Sequence, residues 1–309
     1  MFCSTVIATI GRPTIGRSVC SVLDQSFAAD NFEVVVVNDS GQPLPEEDWQ
    51  RSDKVLIVDT HHRERCVARN TGAAIARGRY LHFLDDDDWL LPGALDVFWK
   101  LTHNNDAIWL YGGSQLVDRE GQPLIHLCPN FNGNCFIQMI AGEWIPLQAS
   151  LIETKAFFSV GGFNPLISAA EDIDLGRRIA LYGNVAGSPE LTACIGMGEE
   201  NSSTDHARLP EYSRRAREEV LNQPDAFIRM RTSANNSYWQ GRIVRAYLTS
   251  MIWNLRFGRI FTAASRSVFG ILGAVLAGRY IFSTRFWHAV VTQYKSETFS
   301  QGFQKAGHS

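Results

Sequence analysis

Residues 85–88 are four consecutive aspartates, and they follow an apolar and aromatic run at residues 80–84. That run predicts a short buried strand. Two like charges about 4 Å apart repel by roughly 4 kcal/mol at an effective dielectric constant near 20, so the acidic run favours a nearby cation. Carboxylate oxygens are suitable ligands for Mg²⁺ or Mn²⁺. The same residues would also suit a solvated acidic turn that caps the next helix.

Alternation along a strand divides the four aspartates into two pairs. Successive side chains of a strand point to opposite faces, which predicts Asp85 and Asp87 on one side and Asp86 and Asp88 on the other. Open α/β sheets bind their ligands at the carboxyl ends of the strands, where this acidic run would lie. The acidic run is therefore predicted to face a ligand site.

The elements that position the acidic run alternate between strands and helices. Strands are predicted at residues 4–10, 32–37, 55–58, 80–84, 107–111 and 148–152, and helices at residues 65–77 and 171–182. This alternation predicts an α/β fold with a mostly parallel sheet flanked by helices. Because no G-x-G-x-x-G motif follows the first strand and no Walker loop is present, the usual dinucleotide-binding unit and a P-loop protein are excluded.

Composition is ordinary for a globular protein, with 45% hydrophobic and 20% charged residues among 309. That length suits one large domain or a domain with an appendage. Six cysteines form neither a C-x-x-C pair nor a zinc-ligand spacing, which predicts reduced thiols in a cytosolic protein. Since no basic segment precedes the first apolar run, no signal peptide is expected.

Charge divides the chain into two unequal parts. Residues 1–239 hold 20 Lys and Arg against 31 Asp and Glu, whereas residues 240–309 hold nine basic residues and one acidic residue. The basic tail interleaves arginines with aromatic side chains, a pattern typical of helices that lie on an anionic membrane surface. Its apolar run at residues 267–278 is expected to be too short to span a bilayer. A helical subdomain packed on the rest of the chain, or forming a dimer, is the alternative.

Six motifs occur in a characteristic order along the chain. They are Gly11-Arg12-Pro13, Val37-Asn38-Asp39-Ser40-Gly41, Ala68-Arg69-Asn70-Thr71-Gly72, Phe83-Leu84-Asp85-Asp86-Asp87-Asp88-Trp89, Gly161-Gly162-Phe163 and Glu171-Asp172. In this order, over residues 3–185, the chain resembles the family 2 glycosyltransferases. The resemblance implies a GT-A fold and an inverting, metal-dependent enzyme. Such an enzyme transfers a sugar from a nucleotide diphosphate, here expected to be a UDP-sugar.

The resemblance also implies which residues contact the nucleotide. They are Thr9, Arg12, Asp39, Arg65, Asn70 and Asp85. By its own chemistry, Asp39 suits hydrogen bonds from a uracil ring or a ribose, or alternatively an Asx-turn. Arg65 and Arg69 lie four residues apart on one helix face, where they suit either a diphosphate or structural ion pairs with aspartates.

Asp85 and Asp87 correspond to the first and last carboxylates of the family's Asp-x-Asp motif, with Asp86 at the variable position. Asp87 is predicted to contact the metal ion, and Asp85 to contact the ribose or metal-bound water. Asp88 is predicted to cap the following segment. His206, in a polar loop, is predicted as a further metal or phosphate ligand.

Asp172 is predicted to be the general base that deprotonates the acceptor hydroxyl. The alternative is an acidic residue favoured by the helix macrodipole, a role that Asp174 fits better. Glu171 is expected to point elsewhere. Gly162 and Trp144 are predicted on the acceptor side, where Trp144 would stack on a sugar ring or pack in the core.

These observations predict a catalytic domain at residues 1–205 and a helical, basic and aromatic region at residues 206–309. The expected enzyme works in the cytoplasm, peripherally attached at the inner face of the cell membrane. It would act on a glycan or lipid-linked acceptor in cell-surface polysaccharide synthesis, without nucleic acid as a partner. Whether it forms an oligomer is left open.

Two alternative functions remain at this point. A sugar-1-phosphate nucleotidyltransferase would need a Gly-rich basic loop after the first strand, and residues 11–14 are poor in glycine. A non-catalytic scaffold that binds sugar nucleotides is the other alternative, although Asp87 and Asp172 together argue against it.

Overall fold

The computed structural model describes residues 1–27, 31–61, 64–103, 106–167, 169–197 and 208–296. Within them, one sheet has the strand order β3-β2-β1-β4-β8-β6-β9-β5, and β7 pairs with β6. The strands are β1 (Cys3–Thr9), β2 (Phe32–Asn38), β3 (Val55–Asp59), β4 (Tyr80–Asp85), β5 (Trp89–Leu90), β6 (Trp109–Val117), β7 (Pro123–Leu127), β8 (Ser150–Glu153) and β9 (Val185–Gly196).

Helices flank this sheet. They are α1 (Ile15–Leu23), α2 (Arg65–Ile75), α3 (Ala94–Thr102), α4 (Phe136–Ala141), α5 (Thr154–Ser159), α6 (Glu171–Tyr182), α7 (Leu209–Leu221), α8 (Ala226–Ser233), α9 (Ser237–Arg256), α10 (Ile260–Ala277) and α11 (Thr284–Val291). The predicted α/β fold with a helical C-terminal region is confirmed.

Strands β1 to β4 are all parallel, as the alternation of elements predicts. Beyond β4 the sheet is mixed, because β8 runs antiparallel to both β4 and β6. The helix predicted at residues 65–77 ends two residues earlier, at Ile75. A Cβ atom on Gly78 would lie 2.4 Å from the backbone nitrogen of Ser4, so this glycine permits close packing against β1.

The core lies on both faces of the sheet. One cluster joins Phe27, Trp49 and Phe98 to strand residues on the side of α1 and α3. The other cluster contains Trp109 of β6 and Tyr247 of α9, so helices of the basic tail share a core with the sheet. The predicted domain boundary at residue 205 falls outside the described residues and stays a prediction.

The apolar run of the tail belongs to a longer helix than its twelve residues predict. Residues Ile260–Phe282 form a helical segment in which an 18-residue window has a mean hydropathy of 1.7, so by length and composition it could cross a membrane. The expectation of insufficient length is therefore wrong. Arg266 ends the apolar run in the sequence, yet it lies on the packed side of α10 and the helix continues past it.

Burial of His82 should make stability depend on pH. Its imidazole contacts the Thr5 hydroxyl and the Gln148 carbonyl, and burial lowers its pKa from 6.5 to about 4. The neutral ring therefore stabilises the fold above pH 6.5, and this contribution is lost as the pH falls through 4. Between pH 6.5 and 4, we expect urea unfolding to show that this group lowers the free energy of unfolding by up to about 3 kcal/mol. This part of the pH dependence should be absent in His82→Gln.

The exposed residue His103 supplies the matched control, because His103→Gln makes the same substitution outside the core. Equal slopes for wild type and His82→Gln between pH 6.5 and 4 would contradict the assignment to His82.

Candidate active site

A cavity of about 930 Å³ lies at the carboxyl ends of β1, β2 and β4, closed by the start of α6. Eight predicted site residues line it, namely Thr9, Arg12, Asp39, Arg65, Asp85, Asp87, Trp144 and Asp172. Asn70 and Gly162 are not among the lining residues, and His206 lies outside the described part of the chain. The acidic run and the start of α6 therefore share one site.

The acidic run does not alternate as a strand would. Strand β4 ends at Asp85, residues 86 and 87 form a turn, and the Asp88 amide donates to the Asp85 carbonyl at 3.1 Å. Strand β5 then begins at Trp89. The predicted division into two opposite pairs is therefore wrong, because the chain turns after the first aspartate.

Asp86, at the variable position of the Asp-x-Asp motif, anchors the loop after β1. Its carboxylate accepts a 2.6 Å hydrogen bond from the Thr9 hydroxyl and another of 2.6 Å from the Arg12 guanidinium. Asp88 is also buried, and it accepts a 2.8 Å bond from the Gly196 amide of β9. The expectation that Asp88 caps the following segment is wrong, since its partner lies on a distant strand.

The aspartates differ in how well their charges are compensated. Burial opposes ionisation of Asp85, but the guanidinium of Arg69 and its hydrogen bond outweigh burial and hold the Asp85 pKa below its ordinary value. Burial and then the charge of Asp85 raise the pKa of Asp87. The same two causes raise the pKa of Asp88 well above its ordinary value. Ionisation is therefore less well compensated at Asp87 and Asp88 than at Asp85.

Arg69 connects the acidic run to α6. Its guanidinium donates to Asp85 and, at 3.1 Å, to Glu171, and Arg65 also donates to Glu171 at 3.1 Å. The expectation that Glu171 points elsewhere is wrong, because two arginines of α2 draw its carboxylate into the cavity wall. Of the two roles considered for Arg69, a diphosphate contact or structural ion pairs, the structure shows the ion pairs.

Asp172 lies in the first turn of α6 and lines the cavity. One carboxylate oxygen accepts a 2.7 Å bond from the Ile173 amide. Burial and then the neighbouring Glu171 raise the pKa of Asp172 to about 6. A carboxylate with this pKa is ionised at pH 7 and is a stronger base than an exposed aspartate. Asp174, by contrast, is fully buried and paired with Arg178 at 2.5 Å.

Asp39 ties the end of β2 to the segment before α2. Its carboxylate accepts a 2.7 Å bond from the Thr60 hydroxyl and a 2.8 Å bond from the Glu64 amide. The Asx-turn that was its alternative role belongs to Asn38, whose side-chain oxygen accepts from the Ser40 amide at 3.2 Å. Asp39 is thus held firmly at the cavity wall.

Asn70 and Gly162 form a support behind the cavity. The Asn70 amide group donates to the Phe163 carbonyl and accepts from the Phe163 amide, both at 2.9 Å. Gly162 has a φ of 66°, and a Cβ atom there would lie 2.7 Å from the Asn70 side-chain oxygen. The structure therefore places both residues where they fix the turn at residues 161–163, and their contacts with ligands remain predictions.

Gln148 is a site residue that the sequence reasoning missed. It lies in the short 3-10 turn Leu147–Ala149, lines the cavity, and its amide donates to Asp85 at 3.1 Å. This contact depends on the pairing of β8 with β4, which joins segments about 70 residues apart. A lone glutamine in a loop carries no sequence signal of such a role.

Comparison with known proteins identifies the N-terminal part of the chain. The family model described as "Glycosyl transferase family 2" matches residues 4–140. This part of the chain is similar to that family. An uncharacterised glycosyltransferase of Rickettsia bellii is 30% identical over 182 residues, which cover 57% of this chain and 26% of that protein. The chain thus spans about a quarter of that relative's length.

A second relative, from Escherichia coli, is named UDP-Glc:alpha-D-GlcNAc-diphosphoundecaprenol beta-1,3-glucosyltransferase WfgD. It is 28% identical over 108 residues, covering 34% of this chain and 42% of that protein. The crystal structure of Staphylococcus aureus TarS 1-349 in complex with UDP-GlcNAc superposes with a TM-score of 0.63 at 16% identity. That match covers 86% of this chain and 90% of TarS 1-349, and it confirms the GT-A fold.

Proposed function

We propose that this family 2 domain is an inverting glycosyltransferase of the cytoplasm. It would transfer a sugar from a UDP-sugar to a hydroxyl group of a glycan or lipid-linked saccharide in polysaccharide synthesis. The observation that carries this proposal is one cavity that joins the acidic run to Asp172, a carboxylate with a pKa of about 6. A transferase of this kind needs both a binding site for a charged leaving group and a base.

The donor end of the cavity suits a nucleoside diphosphate. Arg12 and Arg65 line the cavity and supply positive charge for a diphosphate, and Asp39 supplies acceptor oxygens for a uracil or ribose. The names of two similar proteins support uridine as the nucleoside, since WfgD uses UDP-Glc and TarS was crystallised with UDP-GlcNAc. A UDP-sugar is therefore the proposed donor.

Asp172 is the proposed base. It accepts the proton of the acceptor hydroxyl while the hydroxyl oxygen forms a bond to the anomeric carbon. The bond from that carbon to the diphosphate oxygen breaks, and its electron pair leaves with UDP. Because the hydroxyl attacks the face opposite the departing UDP, the configuration at the anomeric carbon inverts.

Asp87 fits a role as ligand of Mg²⁺ or Mn²⁺. Its carboxylate is partly exposed to the cavity, its charge is poorly compensated, and it contacts Arg12 only at 3.4 Å. No group of three or more His, Cys, Asp or Glu side chains able to hold a metal occurs in the part of the chain that the structure describes. A cation held by Asp87 would therefore have to take its other ligands from a diphosphate and water. Such a cation would neutralise charge on the leaving diphosphate.

Thermal-shift measurements with nucleoside diphosphates and sugar nucleotides, with and without Mn²⁺, test the donor proposal. We expect UDP with Mn²⁺ to raise the Tm by about 5 °C, because ligand at 100 times its Kd stabilises the native state by about 2.7 kcal/mol. Adenosine and guanosine diphosphates serve as matched controls and should shift the Tm less.

The product released from a UDP-sugar then separates the alternatives. UDP indicates transfer or its hydrolytic side reaction, pyrophosphate indicates a nucleotidyltransferase, and a scaffold releases neither. Folded protein whose Tm does not respond to any nucleoside diphosphate would contradict the proposed function.

A further inference from the structure

Helix α10 packs on α9 through a stripe of mostly small residues. The buried positions are Ala263, Arg266, Gly270, Gly273 and Ala277. Their spacing of three and four residues places them on one side of the helix. A Cβ atom on Gly273 would lie 3.4 Å from Ile243, so the glycine allows the two helices to approach closely. This side of α10 therefore faces the body of the protein.

The opposite side of α10, which we call its outer face, is apolar and exposed. Its residues are Ile260, Phe261, Val268, Ile271, Leu272, Val275 and Leu276. Their exposed fractions range from 38% at Leu272 to 93% at Phe261, and the outer face carries no charged side chain. An apolar surface of this extent along one helix marks an interaction site.

Exposed basic residues lie beyond both ends of the outer face. Arg256 and Arg259 precede α10, and Arg279 and Arg285 follow it. Residues 240–296 contain no Asp or Glu, so these arginines have no acidic neighbour within that part of the tail. Trp287 is also exposed, on α11, as suits the boundary between water and lipid. An apolar face with a basic rim complements the anionic surface of a bilayer.

We propose that α10 lies in the plane of an anionic membrane, with its outer face inserted among the lipids. This attachment goes beyond the proposed transfer reaction, and it would hold the catalytic cavity near lipid-linked molecules. The helix lies flat and does not span the bilayer, because the buried side chain of Arg266 holds it against the rest of the protein.

Arg266 fixes α10 to the body of the protein. Its guanidinium donates to the Leu221 carbonyl at 2.8 Å, to the Ser250 hydroxyl at 3.0 Å and to the Asn222 side chain. Leu221 and Tyr247, on α7 and α9, belong to the same core as the sheet. A spanning orientation would break these contacts and expose the charge of Arg266 to hydrocarbon, which is unfavourable.

A second copy of the chain is a weaker occupant of the outer face. In a two-fold symmetric contact the same patch meets itself. Such a contact would bring the arginine rims of both copies together, and residues 240–296 supply no acidic side chain to lie between them. The like charges of the two rims would repel each other, whereas anionic lipid headgroups attract the same arginines.

Co-sedimentation of the full chain with lipid vesicles tests the proposal. We expect binding to vesicles that contain phosphatidylglycerol, weaker binding to pure phosphatidylcholine, and release by alkaline carbonate. The affinity of the double variant Ile271→Glu/Val275→Glu for these vesicles should be at least about tenfold lower, because the variant places two charges in the inserted face. Both positions are exposed, so the fold should be kept.

Ile228→Glu is the matched control, since Ile228 on α8 is 63% exposed against 65% for Ile271. It should bind vesicles as wild type does. Hydrolytic release of UDP from a soluble UDP-sugar should be equal in all variants, which separates this proposal from the proposed function. Failure of wild type to bind anionic vesicles, or resistance to carbonate, would overturn the proposal. So would a wild-type dimer that the double variant converts to monomer without any vesicle binding.

Discussion

Asp172→Asn is expected to lower kcat about 1000-fold while the Kd for UDP changes by no more than about twofold. The carboxylate with a pKa of about 6 is the proposed acceptor of the hydroxyl proton, and an amide of the same shape cannot accept it. Donor binding should persist because the acidic run and the arginines of α2 remain. Steady-state kinetics together with UDP titration separate the two effects.

Asp96→Asn is the control that separates the loss of the proposed base from the loss of a charge at a helix N-terminus. Asp96 lies in the first turn of α3, as Asp172 does in α6, and both side chains are partly buried. Each variant removes one favourable interaction with a helix macrodipole, but only Asp172 lines the cavity. Near-normal turnover in Asp172→Asn, or equal loss in Asp96→Asn, would exclude Asp172 as the base.

The raised pKa of Asp172 also gives this prediction a pH signature. Turnover should fall about tenfold per pH unit below pH 6, as the base becomes protonated. Since the folded pKa of about 6 exceeds the ordinary 3.8, the ionised group destabilises the fold above pH 6 and not below about pH 4. Asp172→Asn should therefore unfold at higher urea concentration at pH 8, by about 1–3 kcal/mol in unfolding free energy, with no gain at pH 4.

Local apolar patterns were sufficient to predict the elements that carry the site. The valine run of β2 is fully buried and lies in the strand predicted at residues 32–37, and α6 spans residues Glu171–Tyr182 as its pattern indicates. The acidic run lies at the end of β4 for the same reason. Such patterns are local, because the spacing of apolar residues within each strand or helix indicates which face is buried.

Contacts between distant segments were not predictable in this way. Glu171 reaches Arg69 across 102 residues, and Gln148 reaches Asp85 across 63. The roles of Asp86 and Asp88 depend on where the chain turns after β4, which the alternation rule does not specify. Arg266 likewise ends an apolar run in the sequence, yet in the fold its charge is satisfied by α7 and α9.

Asp87→Asn is expected to remove the effect of Mn²⁺ on UDP binding. In wild type, Mn²⁺ should tighten UDP binding about 10- to 100-fold, since contacts with a charged group contribute about 1.5–3 kcal/mol. Asp87 is the proposed ligand because burial and Asp85 raise its pKa, and a cation would relieve that unfavourable charge. Titration of UDP with and without Mn²⁺ measures the effect directly.

Asp86→Asn is the neighbouring control for this experiment. Asp86 binds Thr9 and Arg12, so its loss should lower the Tm by weakening the loop after β1, yet leave the Mn²⁺ effect in place. Asp87→Asn should show the reverse, with a Tm near that of wild type and equal UDP affinity with and without Mn²⁺. If Mn²⁺ still tightens UDP binding to Asp87→Asn, the ion is held by other groups. If Mn²⁺ has no effect on wild type, the arginines of the cavity neutralise the diphosphate without a metal.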